Sequence, residues 1–261
     1  MRAGKARLDL LLVERGLAPS RAKAQALILA GQVRVNGAPV GKPGALVDRT
    51  AHLEVLAPPK YVSRGGEKLE AALQAFRLDP RGKVCLDIGA STGGFTDCLL
   101  QHGAARVYAV DVGRGQLHWR LRQDPRVVVK EGLNARFLRC EDIGEPVDLA
   151  TLDVSFISLR LILPRLRGLV RAEGDVVPLV KPQFEAGRAQ VRRGVVRDPQ
   201  VHRRVLEELA RFAREELGWS VVNAVASPLL GPEGNREFFL HVVPRAGEDR
   251  PLPWAELGLG P

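Results

Sequence analysis

The stretch from Lys83 to Phe95, K-V-C-L-D-I-G-A-S-T-G-G-F, constrains the fold more than any other part of the chain. Val84, Cys85, Leu86 and Ile88 form an apolar run too short for a helix. Asp87 interrupts it just ahead of the glycines, which predicts a buried strand ending at a ligand. Gly93, Gly94 and Phe95 then open an amphipathic helix whose first N–H groups have no partner within the helix and point at whatever lies over the turn. Asp87, Gly89, Ser91, Thr92, Gly93, Gly94 and Phe95 are therefore candidate cofactor contacts. Dehydrogenases, nucleotidyl enzymes and methyltransferases all build such a unit, and a tight turn with no ligand has the same pattern. The dinucleotide pattern G-x-G-x-x-G is absent, and no lysine follows the glycines as in a phosphate-binding loop. An acid followed by small residues suits a cofactor with an ammonium group and no pyrophosphate, a description that S-adenosylmethionine fits.

Short strands and helices alternate beyond this point. Strands are expected at 83–88, 106–112, 126–129, 148–154, 175–181, 219–226 and 237–243, with helices at 94–102 and 158–171 and a longer one from Pro199 to Leu217. Such alternation predicts an α/β, Rossmann-like, mostly parallel seven-stranded sheet covered on both faces. Only residues 228–236 separate the last two strands, too few for a helical crossover, so the last strand is expected to be antiparallel. Ligands of such sheets bind beyond the C-terminal strand ends, where Asp87, Asp111, Asp153 and Lys181 fall, and an antiparallel strand beginning at Glu237 starts at the same edge. Asp111, about 20 residues past the turn, is placed to accept from a ribose diol, with Val112 beside it. Asn134 is a candidate adenine-side contact or simply a turn residue.

The charge is unevenly placed. Residues 1–60 hold ten Lys or Arg against four acids, +6 of the chain's formal +9, which suggests a polyanionic partner such as nucleic acid. The same region reads as a small α+β module. A helical stripe of Leu8, Leu11, Leu12 and Leu17 is followed by Ser20 as an N-cap and a second helix over 21–30. Alternating strands then flank Asn36-Gly37, a hairpin signal. Ala57-Pro58-Pro59-Lys60 breaks the composition and marks a boundary. The expected division is 1–58 for the module, 59–62 for a linker, 63–245 for the large domain and 246–261 for a tail. Cys85, Cys98 and Cys140 are too widely spaced for a disulfide framework or a zinc site, and no metal is expected. No apolar run reaches the ~18 residues of a membrane span, and the N-terminus lacks a signal-peptide core, so a cytoplasmic protein without a membrane partner is expected.

Residues 186–197 carry Arg188, Arg192, Arg193 and Arg197 with glycines and no acid. A mobile loop clamping RNA phosphate is expected there, a merely solvated loop being the alternative.

The pattern A-R-L-D-x-x-L-V-x-R-G-L-x-x-S-R, continuing to V-x-V-N-G, resembles the alpha-L RNA-binding domain of a small-subunit ribosomal protein, pseudouridine synthases and some tRNA synthetases. By that resemblance Arg7, Ser20, Arg21, Lys23, Arg34 and Lys42 face RNA, and Arg64 is added to the RNA-binding set. The motifs S-R-G-G-E-K-L, D-I-G-A-S-T-G-G-F-T, D-V-G-x-G-Q-L, D-V-S-F-I-S-L, V-K-P-Q-F-E and G-N-R-E-F-F-L resemble those of the TlyA (haemolysin A) family. Lys68, Asp153, Lys181 and Glu237 resemble the catalytic tetrad of FtsJ-like ribose 2'-O-methyltransferases. The resemblance implies a class I methyltransferase fold and transfer from S-adenosylmethionine, Asp153 also touching the cofactor. It further implies ribosomal RNA of one or both subunits as substrate, at a cytidine 2'-hydroxyl. A monomer is expected.

A ribose hydroxyl is a poor nucleophile near pH 7, so the enzyme has to orient it and manage its proton. Lys181 is expected to act as base, with electrostatic stabilisation of the developing alkoxide as the competing role. Asp153 and Glu237 would orient the two lysines. The alternatives are a non-catalytic RNA-binding protein on a methyltransferase scaffold, or a haemolysin, for which no long apolar segment is present. Base methylation is a further alternative, but Asp153-Val154-Ser155-Phe156 lacks the N/D-P-P-Y/F pattern common among base-nitrogen enzymes.

Overall fold

The structure is a computed structural model that describes residues 4–57 and 59–260, without the side chains of Arg188 and Pro232. The chain divides into two units, Met1–Pro59 and Lys60–Pro261.

The first unit runs β1 (Lys5–Arg7), α1 (Leu8–Glu14), α2 (Arg21–Leu29), β2 (Val33–Val35), β3 (Ala38–Pro39), β4 (Leu46–Asp48) and β5 (Leu53–Val55). β1 pairs with β4, and β2 pairs with both β3 and β5, all antiparallel. Ser20 caps α2, its Oγ accepting from Lys23 N–H at 3.2 Å. Leu8, Leu12, Ile28 and Val33 are fully buried and close the small core. Leu17, expected on the apolar stripe, instead follows the end of α1 and is 37% exposed, its N–H donating to the Leu12 carbonyl as the chain reverses. Asp9 is buried between α1 and α2. Its carboxylate accepts two bonds from Arg7 at 3.0 Å, and one each from Arg21 and Gln25 at 2.9 Å.

The second unit contains α3 (Gly65–Phe76), β6 (Val84–Ile88), α4 (Gly94–Gln101), β7 (Arg106–Asp111), α5 (Trp119–Arg122), β8 (Val127–Glu131), α6 (Cys140–Ile143), β9 (Val147–Leu152), β10 (Val170–Val180), α7 (Pro182–Glu185), α8 (Pro199–Leu217), β11 (Ser220–Ala226) and β12 (Phe238–Val243). The strands form one seven-stranded sheet in the order β11-β12-β10-β9-β6-β7-β8, in which β12 runs opposite to the other six. The period-2 alternation of a strand buries both faces. Leu86 and Ile88 pack on the side covered by α8, while Cys85 packs against α3 and α4 on the other. Burial pushes the Cys85 and Cys98 thiols up to about 12, which removes them as nucleophiles.

Two expectations change here. The helix over 158–171 is replaced by short 3-10 turns at Leu159–Leu161 and Leu163–Leu166, and β10 already begins at Val170. Pro164 has no N–H and its ring obstructs a preceding helical turn, while Gly168 takes φ +76°, so neither continues an α-helix. Tyr61 and Val62, expected in a linker, belong to the second unit: Tyr61 is buried, and Val62 N–H donates to Asp97 Oδ2 at 2.8 Å. Pro58 lies outside the described residues. The segment after β12 folds back on its own unit, burying Leu257 and Leu259 in the core.

Candidate active site

Strand direction gathers the site. β6, β7, β9 and β10 are parallel, so Asp111, Asp153 and Lys181 sit at or just past their C-terminal ends. β12 runs the other way, and its register pairs Phe238 with Val180, so Glu237 enters the sheet at the edge where Lys181 leaves it.

The turn after β6 is drawn under β7: Gly89 and Ala90 N–H groups donate to the Val110 carbonyl at 2.8 and 3.1 Å. Ser91 and Gly113 N–H groups donate to the two oxygens of Asp111, each at 2.7 Å. Gly89 has φ +82°, and a Cβ on it would stand 2.5 Å from the Asp153 carbonyl oxygen, so this glycine is required by the chain itself. Two cavities of about 450 and 460 Å³ share Gly89, Ser91 and Asp153 in their walls. One is an apolar slot of Val112, Leu133, Ile157 and Ile162 with Asp111 and Asn134 at its side. The other is more polar, with Ser63, Arg64, Lys68, Thr92, Gly94 and Phe95.

Asp87 and Gly93 line neither of these two cavities. Asp87 is fully buried and accepts hydrogen bonds from Thr96 Oγ1 at 2.7 Å and Thr151 Oγ1 at 3.3 Å. Burial, with Asp153 nearby, pushes its carboxyl up to about 7 despite those bonds. Gly93 is covered by Leu117 and Leu121, whose side chains occupy the space a Cβ would need. Both residues brace the turn from behind.

The four charged residues form two pairs. Lys68 Nζ lies 2.6 Å from Glu237 Oε2, with the carboxylate fully enclosed and the lysine 8% exposed. Lys68 is in the first turn of α3, a position that by itself predicts a surface lysine. Lys181 Nζ lies 2.7 Å from Asp153 Oδ1, a close ion pair whose angle is not that of a hydrogen bond, and donates to Ser155 Oγ at 2.8 Å. The segment 153–159 is tied down at its far end by α7. Glu185 accepts from Ser158 Oγ at 2.6 Å and Leu159 N–H at 2.7 Å, and its burial raises its pKa. Between these anchors Phe156 takes φ +62° and is 90% exposed, with its ring centroid 5.0 Å from that of Phe184. A bulky residue held in the left-handed region beside a cavity is a marker of function.

In the first unit, Lys23, Arg34 and Lys42 are exposed with no partner among the described residues. Arg7 and Arg21 are half-exposed and tied to Asp9, and the Ser20 hydroxyl serves as a cap. In the second unit Arg64 donates to the Leu230 carbonyl at 3.1 Å and lines the polar cavity. Within the loop expected over 186–197, residues 192–195 form a tight hairpin turn: Arg192 and Val195 exchange both backbone hydrogen bonds at 3.0 Å. The Arg188 side chain lies outside the described residues.

Residues 61–243 match the profile of the FtsJ-like methyltransferases, and residues 6–53 that of the S4 domain. The chain belongs to the FtsJ-like methyltransferase family. It is 53% identical to the 16S/23S rRNA (cytidine-2'-O)-methyltransferase TlyA of Mycobacterium tuberculosis, over 96% of this chain and 93% of that one. It is 44% identical to Hemolysin A of Brachyspira hyodysenteriae, over 91% and 99%. A Streptococcus thermophilus structure described as a candidate hemolysin is 44% identical and superposes with a TM-score of 0.72, covering 98% of this chain and 94% of that one. As a TlyA-type rRNA methyltransferase with an S4-like N-terminal domain, the chain joins two modules that the sequence already separates.

Within this FtsJ-like framework several contributors are not among the expected site residues. Ser155 touches Lys181, and Thr96 and Thr151 hold Asp87. Gly231 makes room for Glu237, because a Cβ there would stand 2.1 Å from Glu237 Oε1. Ser155 and Thr96 stand inside recognisable motifs and were legible by position, whereas Gly231 gives no local signal.

Proposed function

We propose that this protein transfers a methyl group from S-adenosylmethionine to the ribose 2'-hydroxyl of a cytidine in ribosomal RNA. The observation that carries the proposal is the double pair Lys68–Glu237 and Lys181–Asp153 standing at the strand ends beside the glycine turn.

The cavities fit the donor. Asp111 would hold the ribose diol and Asn134 with Leu133 the adenine, while Ser63, Arg64 and Thr92 offer hydroxyls and a positive charge to the methionyl carboxylate. When bound, the donor supplies a methyl group already activated on a positively charged sulfur. Lys181, entering the step as the neutral amine, takes the 2'-hydroxyl proton as the oxygen–methyl bond forms and the methyl–sulfur bond breaks, a contribution worth roughly 10²–10⁴-fold in rate. Asp153 and Ser155 fix its nitrogen. Lys68, held by Glu237, keeps a positive charge near the oxygen that becomes anionic. Phe156 offers an open aromatic face on which the target base can stack, an interaction worth about 1–3 kcal/mol.

The basic S4-like unit and the relative's printed activity support ribosomal RNA as the partner. Two buried or half-buried lysine–carboxylate pairs are a costly arrangement for a passive scaffold, which argues against a non-catalytic role. The name Hemolysin A carried by one relative has no counterpart in this chain's helices. The apolar face of α8 is committed to the core, and among the described residues no helix is long and apolar enough to cross a membrane.

The test is to incubate the protein with S-adenosylmethionine and ribosomal RNA from cells lacking it, then analyse the nucleosides by mass spectrometry. 2'-O-methylcytidine is expected, and a methyl group on a base nitrogen or carbon would refute the proposal.

A further inference from the structure

Some surface arginines of the second unit are matched to carboxylates, as in Arg106–Glu145, Arg160–Glu208 and Arg245–Glu248, and others are not. Arg192, Arg197 and Arg204 are exposed, have no ion pair among the described residues, and line one cavity of about 470 Å³. Its apolar wall is Val195 and Val201, and its one acid, Asp198, already accepts the Gln200 N–H at 2.8 Å as the cap of α8. An adjoining cavity of about 520 Å³ repeats the pattern with Arg192, Arg193 and Arg197 against the single acid Glu233. Guanidiniums converging on a shared hollow repel one another unless an anion lies between them, and their planar donor forks match phosphate oxygens.

The hollow is also rigidly built. Arg193 and Gly194 take φ +50° and +79°, the left-handed pair of a two-residue hairpin turn. Asn235, 2% exposed, donates to the Gly194 carbonyl at 2.9 Å and accepts from Val196 N–H at 3.1 Å. His202 Nε2 lies 3.0 Å from the Val196 carbonyl on the other side. Asn235 stands two residues before Glu237, the partner of Lys68. We propose that the hollow lined by Arg192, Arg197 and Arg204 seats an RNA phosphodiester, and that Asn235 is a positioning residue fixing this seat relative to Glu237. Backbone capture and ribose positioning then share one short, braced segment. This inference rests on ribosomal RNA being the substrate.

The test compares the double variant Arg197→Gln/Arg204→Gln with Arg211→Gln, which removes an exposed charge about two turns further along α8. RNA affinity is measured across a salt series with the same ribosomal RNA, alongside cofactor affinity by calorimetry and the methyl-transfer rate. The double variant is expected to bind RNA about tenfold or more weakly and to lower the salt slope by about 0.7–0.9 for each phosphate it no longer neutralises. Cofactor affinity should be unchanged, KM for RNA should rise more than kcat falls, and Arg211→Gln should leave the slope alone. Asn235→Asp keeps the acceptor for Val196 but removes the donor to Gly194, and should raise KM for RNA in the same way. An unchanged slope, or an equal loss in Arg211→Gln, overturns the seat. If inorganic phosphate binds the wild type and not the double variant while the RNA slope is the same in both, the hollow takes a free anion and the RNA assignment is wrong. If the slope falls as expected but wild-type protein transfers no methyl group to the RNA, the seat stands and the catalytic reading fails.

Discussion

Asp9 and Asp87 are both fully enclosed carboxylates, and their partners push them in opposite directions. Hydrogen bonds from Arg7 above all hold Asp9 well below the usual carboxylate range. Asp87 has the Thr96 and Thr151 hydroxyls and the Thr96 backbone N–H as donors but no cation, and desolvation raises it to about 7. Because that folded value exceeds the unfolded value of about 4, the stability from Asp87 is complete below about pH 4 and is lost as the pH rises through about 7. Asp87→Asn should therefore flatten the decline in urea stability between pH 5 and pH 8. An undiminished decline would show that Asp87 is not its source. Gly231→Ala places a methyl group where Glu237 Oε1 lies. Methyl transfer should fall by about 10²-fold or more at unchanged cofactor affinity, and near-normal activity would mean that Glu237 is not held from this side. The carboxylates at strand ends were legible because the strand period puts them there. The burial of Lys68 was not, since it depends on Glu237, 169 residues away.

At the scale of elements, the alternation of strand and helix was readable because fully buried strands and amphipathic helices such as α8 carry distinct periods. The segment 158–171 misled because its leucines keep a helical spacing, while Pro164 and Gly168 forbid the helix. The hairpin at 192–195 was invisible because its anchors, Asn235 and His202, are distant in sequence. Burial lowers the His202 pKa, so the folded state prefers the neutral ring that can donate Nε2–H to Val196. A group lowered in this way contributes stability that is present above about pH 6.5 and lost as the pH falls. Protection factors of the Val195 and Val196 amides should drop between pH 7 and pH 5, and His202→Gln should remove that drop. Equal sensitivity in the variant would place the titrating group elsewhere.

Across the whole molecule, +6 of the formal +9 lies in residues 1–60, yet the charges there are not equivalent. Arg7 and Arg21 are partly neutralised by Asp9 and serve the fold, while Lys23, Arg34 and Lys42 are unpaired among the described residues. Replacing those three by Gln should weaken RNA binding and lower its salt slope without changing thermal stability. Arg7→Gln should instead lower stability first, as its guanidinium is the main partner of a buried carboxylate. Catalysis as proposed turns on Lys181, fixed by Asp153 and Ser155, handling the proton of a ribose hydroxyl. It is tested most directly by Lys181→Ala, with cofactor affinity measured by calorimetry and 2'-O-methylcytidine formation measured on unmethylated ribosomal RNA. Cofactor affinity should stay within a few-fold of wild type while methyl transfer falls roughly 10²–10⁴-fold. Retention of full methyl transfer with the cofactor normally bound would contradict that role for Lys181.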